Sequence, residues 1–193
     1  MDYQADEASL IDHAVDGDRD AFSQLMHRYA GAVYSLAYRM LGNAQDAEDA
    51  SQEIFLRAYS HLARFDRSRR FSTWLLAITS NYCIDRLRRK RFNWLTLDDV
   101  AFSLPSTQHS PERTVELQEQ RTSVQEALQK LPESYRLVTI LRYWHDLSYQ
   151  EIAETTGLTE STIKTRLHRA RHMMAELLRP QGNDLWGSKQ TIS

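Results

Sequence analysis

Cationic and hydroxyl side chains recur near the end of this 193-residue chain at the spacing of one helix face. At about 100° per residue they fan over the side opposite an apolar stripe, and no acidic residue occurs between Ser161 and Ala175. Lysine and arginine can neutralise DNA phosphates, and an arginine can also pair with a guanine edge. A merely solvated helix usually mixes charges of both signs, so this face predicts binding to DNA. The candidate residues are Lys164, Thr165, Arg166, His168, Arg169 and Arg171.

The segment from Leu147 to Arg171 contains the elements that would position this face. Ser148, with Glu151 three residues later, forms a capping box that begins a short helix, and Gly157 ends it. Thr159 can then cap a second helix. Two short helices joined by a tight turn form a helix-turn-helix, whose second helix docks in the major groove of DNA. The apolar stripe of that second helix would consist of Ile163, Leu167 and Ala170.

A second group of residues suits single-stranded DNA. One stripe of the helix predicted over residues 72–91 runs from aromatic to basic and contains Trp74, Asn81 and Arg88. An aromatic or amide surface can hold an unstacked base while arginines follow the phosphates. Trp74 could equally be a core residue. Phosphate neutralisation alone explains the neighbouring cations Arg86, Arg89, Lys90 and Arg91.

The helix predicted over residues 44–63 carries an acidic patch on the side away from Ile54 and Phe55. The formal net charge is only −2, but bases concentrate between residues 67 and 91 and acids between residues 46 and 53. Such segregation suggests two kinds of partner, although a solvated acidic face is the alternative. The candidate protein-binding residues are Asp49, Gln52, Glu53 and Leu56.

Composition and periodicity predict an all-α protein of the cytoplasm. Six glycines and four prolines interrupt the chain, and apolar residues recur at helical spacing nearly throughout. The sequence has no charged-then-apolar leader and no apolar run of membrane-spanning length. Cys83 is the only cysteine, which excludes an intrachain disulfide, and we expect it to be a core thiol. We expect two small helical domains at residues 1–91 and 111–180, a linker at 92–110 and a disordered tail at 181–193.

In combination, these motifs resemble the bacterial extracytoplasmic-function (ECF) sigma factors, the small two-domain members of the sigma-70 class. The resemblance rests on the Met-Leu-Gly-Asn turn at Met40, the stretches Asp46–Tyr59 and Arg70–Lys90, and the final helix-turn-helix, in family order. It implies a non-catalytic specificity subunit of RNA polymerase, with no cofactor and no metal. It also implies regulation by an anti-sigma factor, in some members anchored at the inner membrane, that releases the protein upon a stress signal.

The resemblance also implies a role for each surface. The acidic patch would bind the clamp helices of the polymerase β′ subunit, and the C-terminal domain would lie at the β flap and the −35 promoter element. There, Lys164 and Arg169 would read bases while Arg166 and Arg171 hold phosphates. The loop Asp66–Arg70 would form a pocket for a flipped base of the −10 element. The implied −10 contacts are Arg67, Arg69, Arg70, Trp74, Asn81 and Arg88.

The linker length fits this expectation. Two promoter elements about two helical turns apart are separated by about 70 Å, at about 34 Å per turn. About 19 extended residues at about 3.3 Å each span about 60 Å, and the domains cover the remainder.

Two other classes of protein compete with this interpretation, and one pair of histidines could suggest a metal site. An autonomous helix-turn-helix repressor or activator would explain the basic face but would leave the acidic patch and the Trp74 stripe without a role, and it would be expected to dimerise on a palindrome. An enzyme would need a nucleophile with a base, a metal cluster or a glycine-rich phosphate loop, and none is evident. His168 and His172 stand one turn apart and could suit zinc, but no third ligand is in sight.

Overall fold

The computed structural model describes residues 6–96 and 115–179 of the chain, and within those ranges all regular secondary structure is helical. This confirms the predicted all-α class. A single 3-10 turn, Leu62–Arg64, follows the third helix. The α-helices are α1 Glu7–Val15, α2 Arg19–Leu41, α3 Ala44–His61, α4 Phe71–Thr96, α5 Val115–Lys130, α6 Glu133–Tyr143, α7 Tyr149–Thr156 and α8 Glu160–Leu177.

Local capping explains several of the helix boundaries. The side chain of Asp18 accepts the backbone N–H groups of Asp20 and Ala21 at the start of α2. Gly42 ends the same helix at a φ of 90°, a left-handed conformation that glycine adopts without steric cost. Asn43 then caps α3 by accepting the N–H of Asp46, so two long helices are joined by a turn of two residues.

Helix α4 continues to Thr96, beyond the predicted end at Arg91. The continuation is understandable because Phe92 to Thr96 contains neither glycine nor proline, and scattered polarity alone does not stop a helix. The remainder of the predicted linker and the predicted disordered tail lie outside the described residues. The start predicted for the second domain, at residue 111, also lies outside them.

The helices form two groups. In the first group, α2, α3 and α4 pack around fully buried Leu36, Met40 and Ile54, and α1 covers one side of α2. Cys83 is buried in this core, as expected, and burial raises the pKa of its thiol to about 12, so it is a poor candidate for redox chemistry. In the second group, α6, α7 and α8 pack around Ile140, Ile152, Ile163 and neighbouring aliphatic side chains, and α5 contacts α8.

The two groups are also in contact with each other. Helix α2 touches α5 and α6, and α4 touches α7, so the buried side chains form one continuous cluster. The sequence predicted two domains and a tether between them but not this contact. None of the helices in the described ranges is long and apolar enough to cross a membrane.

Candidate nucleic-acid interface

The helix-turn-helix is formed by α7 and α8 with the predicted caps. Ser148 and Glu151 form the capping box, and their hydrogen bonds hold the pKa of the Glu151 carboxyl below its usual value. Gly157 ends α7 at a φ of 71°, and Thr159 accepts the N–H of Thr162 at the start of α8. The predicted stripe on α8 is buried, comprising Ile163, Leu167 and Ala170.

The opposite face of α8 is open to solvent. Arg166 is partly buried at its edge, and the other five candidates are exposed. Lys164 lies 3.7 Å from Glu160 and 5.4 Å from the ring of Tyr149, which keeps its ammonium group close to the turn. Arg169 donates to the Tyr135 hydroxyl at 3.3 Å. The exposed residues are Lys164, Thr165, His168, Arg169 and Arg171.

A shallow groove runs between α8 and the start of α6. Ser134 and Tyr135 form one wall, and Thr165 and Arg169 form part of the other. Neither Ser134 nor Tyr135 was predicted as a site residue, because their side chains meet α8 only through the tertiary fold. Hydroxyl and guanidinium groups along a groove of this kind are suited to phosphate contacts.

The α4 stripe is only partly available to a ligand. Trp74 is partly buried. The centroid of its ring lies 5.1 Å from that of Phe65 and 5.3 Å from that of Phe71, so it belongs to an aromatic cluster. Asn81 and Arg88 are exposed along the same helix. The aromatic end of the stripe therefore contributes to packing as well as to the surface.

The arginines of the loop Asp66–Arg70, before α4, bind acidic residues on other helices that the sequence did not indicate. Arg67 donates to Asp12 at 2.8 Å and to Asp16 at 3.0 Å, both on α1. Arg70 pairs with Glu151 of α7. Arg69 donates to the backbone carbonyl of Glu154 at 3.4 Å. Because these partners lie 51 to 85 positions away along the chain, no local sequence signal could have revealed them.

Some cations at the basic end of α4 pair with acidic side chains of the described residues, and others do not. Arg86 and Lys90 both donate to the Asp46 carboxylate at the start of α3, so part of their charge serves to join two helices. Arg91 lies 3.6 Å from Glu133 of α6. Arg88 and Arg89 are exposed and form no ion pair with a described residue, which makes them the better candidates for phosphate contacts.

The acidic face of α3 has the predicted arrangement. Asp49 and Gln52 are exposed, and Leu56 exposes 66% of its surface. Glu53 is partly exposed and pairs with Arg57 one turn later at 2.9 Å. The four candidate residues therefore lie on one side of α3 that is largely open to a partner.

The structure gives no support for a metal site on α8. The rings of His168 and His172 meet edge to face, with centroids 4.6 Å apart. Within residues 6–96 and 115–179, no three histidine, cysteine or acidic side chains are close enough to hold a metal ion.

The fold and these surfaces define a class of protein: a helical DNA-binding protein with a helix-turn-helix in one group of helices and a second basic and aromatic surface in the other. Residues 25–93 match the Sigma-70 region 2 family, and residues 121–174 match the Sigma-70 region 4 family. The chain is 40% identical over 171 residues to the ECF RNA polymerase sigma factor SigW of Bacillus subtilis (strain 168), covering 84% of this chain and 91% of SigW.

Two further relatives agree with this match. The chain is 32% identical over 186 residues to the RNA polymerase sigma-H factor of Pseudomonas aeruginosa, covering 92% of this chain and 96% of that factor. The structure of CnrH in complex with the cytosolic domain of CnrY superposes with a TM-score of 0.67 at 28% identity, covering 89% of this chain and 96% of CnrH. The chain therefore belongs to the ECF family of RNA polymerase sigma factors.

Proposed function

We propose that this sigma factor binds core RNA polymerase through the α3 face and uses two separate surfaces for promoter DNA. The α8 face would bind the −35 duplex, with Lys164 and Arg169 reading bases and Arg166 and Arg171 holding phosphates. The loop before α4 and the exposed Asn81 and Arg88 would open and read the −10 element. The remaining −10 candidates are Arg67, Arg69, Arg70 and Trp74.

The single observation that carries this proposal is the arrangement of α8. The helix buries one apolar stripe and presents five of its six candidate DNA contacts to solvent, on the second helix of a capped helix-turn-helix. The exposed α3 face supports a protein partner and not DNA, because its acidic charges would repel phosphates.

We further propose that an anti-sigma factor is a second protein partner and that it is anchored at the inner membrane. The relative CnrH was solved in complex with the cytosolic domain of CnrY, which supports a protein partner for this fold. A partner that binds the free chain competes with core polymerase by mass action. The stimulus would then act by weakening that binding.

The direct test is transcription of host genomic DNA by core polymerase with and without the purified chain, with mapping of the transcript starts. New discrete starts that share two upstream elements are the expected result. Tight binding to duplex DNA without any new start would instead favour an autonomous helix-turn-helix regulator and would overturn the proposal.

Charge reversal on α3 tests the polymerase contact. We expect Asp49→Arg with Glu53→Arg to weaken binding to core polymerase by about 100-fold, because two like-charge contacts at an interface cost several kcal/mol. Binding of the full chain to duplex DNA should not fall. Surface plasmon resonance on immobilised core polymerase would measure the change.

A matched control carries the same change of charge elsewhere. Glu126→Arg with Glu176→Arg alters two exposed acids of the second group of helices, and its affinity for core polymerase should stay within a few-fold of the wild type. If the α3 variant still supports promoter-specific transcription, the assignment of that face is wrong.

A further inference from the structure

Arg169, one of the two residues proposed to read bases, is held by a neutral acceptor. Its guanidinium nitrogen Nη1 donates to the hydroxyl of Tyr135 at 3.3 Å, and no carboxylate of the described residues lies in ion-pair range of it. Arg67 and Arg70 of the loop before α4 differ, because both pair with carboxylates. A carboxylate competes with DNA for a guanidinium, whereas a hydroxyl leaves the full charge of the arginine available.

Tyr135 is itself fixed in place by α6. Its ring is partly buried and packs against the hydrophobic core. Its backbone N–H donates to the carbonyl of Pro132 at 2.9 Å, and its carbonyl accepts the hydroxyl of Thr139 at 2.8 Å. A tyrosine side chain has only two torsion angles, so a fixed backbone and a packed ring define where the hydroxyl lies.

The contact leaves the recognition edge of Arg169 free. A guanidinium carries five N–H groups, and the bond to Tyr135 uses one of those on Nη1. The edge formed by Nε and Nη2 keeps its donors for a bidentate contact with O6 and N7 of a guanine. Arg169 is exposed on α8, at the groove that Tyr135 lines. The hydroxyl therefore restrains the side chain without covering the atoms that would read a base.

Such a restraint is useful because an arginine side chain is long and flexible. Immobilising a side chain of this kind at an interface costs affinity, and a side chain that is already restrained in the free protein loses less freedom on binding. A displaced Arg169 could still neutralise a phosphate, which requires no particular orientation. The restraint should therefore act on the choice of base more than on binding to DNA in general.

We propose that Tyr135 is a positioning residue for promoter recognition: its hydroxyl orients the Arg169 guanidinium toward the base that Arg169 reads in the −35 element. The inference rests on the proposed function, which assigns that reading to Arg169. The two residues are 34 positions apart, and the packing of α6 against α8 brings them together. Tyr135 acts on the choice of base through Arg169 and not by touching the base itself.

The test is Tyr135→Phe, which removes the hydroxyl and keeps the packed ring. We expect the complex of core polymerase and the full chain to bind the mapped promoter about fivefold more weakly. Affinity for a promoter altered at the base pair that Arg169→Ala identifies should stay within about twofold, so the preference at that base pair falls about fivefold. The control Tyr143→Phe removes the hydroxyl of an exposed tyrosine on the same helix and should change neither affinity.

The double variant Tyr135→Phe with Arg169→Ala shows whether Tyr135 acts through Arg169. If it does, removing the hydroxyl in the Arg169→Ala background has no further effect. Additive losses, or equal weakening on every promoter by Tyr135→Phe, would overturn the inference, because a direct phosphate contact gives those results. If Arg169→Ala relaxes the base preference and Tyr135→Phe does not, only the inference fails. If Arg169→Ala leaves the preference unchanged, the proposed function also loses this base contact.

A second measurement needs no DNA. The NMR order parameter of the Arg169 Nε–H group in the free full chain reports how far the side chain is restrained on the picosecond to nanosecond timescale. We expect it to fall in Tyr135→Phe and to stay at the wild-type value in Tyr143→Phe, with unchanged helix content by circular dichroism in both. Equal order parameters in wild type and Tyr135→Phe would overturn the positioning role, whatever the promoter activity.

Discussion

Asp46 lies at the start of α3, where three hydrogen-bond donors converge on its carboxylate. Burial alone would raise the pKa of this group, but hydrogen bonds from Lys90, Asn43 and Arg86 outweigh burial and hold the pKa well below its usual value. Two cations that sequence reasoning assigned to DNA phosphates therefore join α3 to α4. At the scale of single residues, the role of a charged side chain depends on its nearest partner in space and not on its neighbours in sequence.

The Asp46 contacts give a prediction for stability. We expect Asp46→Asn to lower the free energy of unfolding at pH 7 by about 1–2 kcal/mol, because it removes charge-assisted hydrogen bonds. A carboxyl whose folded pKa is depressed stabilises the fold above its ordinary pKa of 3.8 and loses that contribution as the pH falls below it. The difference between wild type and variant should therefore shrink below about pH 4. Urea denaturation across pH would measure it.

Glu48→Gln is the control for this prediction. Glu48 is exposed two residues after Asp46, on the opposite side of α3, so neutralising it should change stability by no more than about 0.5 kcal/mol. Equal stabilities of Asp46→Asn and wild type at pH 7 would show that the two cations do not depend on Asp46.

At the scale of elements, local signals account for most of the helices. The Ser148 and Glu151 box, Gly157 and Thr159 define the helix-turn-helix through contacts within a few residues, and the structure contains all of them. The burial of Ile163 follows from the period of an α-helix. Element ends were less predictable where no stop signal existed, as at the end of α4.

The two edges of α8 give a prediction about DNA recognition. We expect Arg169→Ala to weaken binding to the −35 element by about 1–3 kcal/mol and to relax the preference at one base pair, as loss of a guanine contact would. Arg171→Ala should weaken binding to all duplexes alike and reduce the salt slope by about one. Fluorescence anisotropy on the mapped promoter and on single-base variants, at several salt concentrations, would separate the two effects. If Arg169→Ala weakens binding to all duplexes equally, the assignment of Arg169 as a base contact is wrong.

At the scale of the whole molecule, the contact between the two groups of helices is the feature with the largest consequence. The turn after α6 is pressed against the first group, and the ring nitrogen Nε2 of His145 is buried there without a hydrogen-bond partner among the described residues. Burial, with a smaller effect from the charge of Arg39, lowers the pKa of His145 to about 4. The folded chain therefore excludes a proton that the unfolded chain would bind below about pH 6.5.

This exclusion predicts a pH dependence of stability. Between its ordinary pKa of 6.5 and its folded pKa of about 4, His145 is protonated in the unfolded chain but neutral in the folded one. Protonation therefore favours the unfolded chain at low pH. The free energy of unfolding is unaffected by His145 above about pH 7 and falls as the pH drops through that window, by about 2 kcal/mol at pH 4.5. We expect His145→Asn to remove this part of the pH dependence and the exposed His13→Asn to retain it. Urea denaturation at pH 7.5 and 4.5 would measure the free energy of unfolding of each protein. An equal change between the two pH values for wild type and His145→Asn would contradict the prediction.

The sequence by itself determined the all-α class, the capped helix-turn-helix, the exposed α8 face and the acidic α3 face, because caps and helical period act between residues a few positions apart. The tertiary structure alone decided that Asp46 binds Arg86 and Lys90, that Arg67 meets α1, and that the two groups of helices touch. Those contacts join residues separated by 40 to 96 positions, and no local pattern encodes which distant donor will reach the end of α2. Packing of the two groups makes that choice.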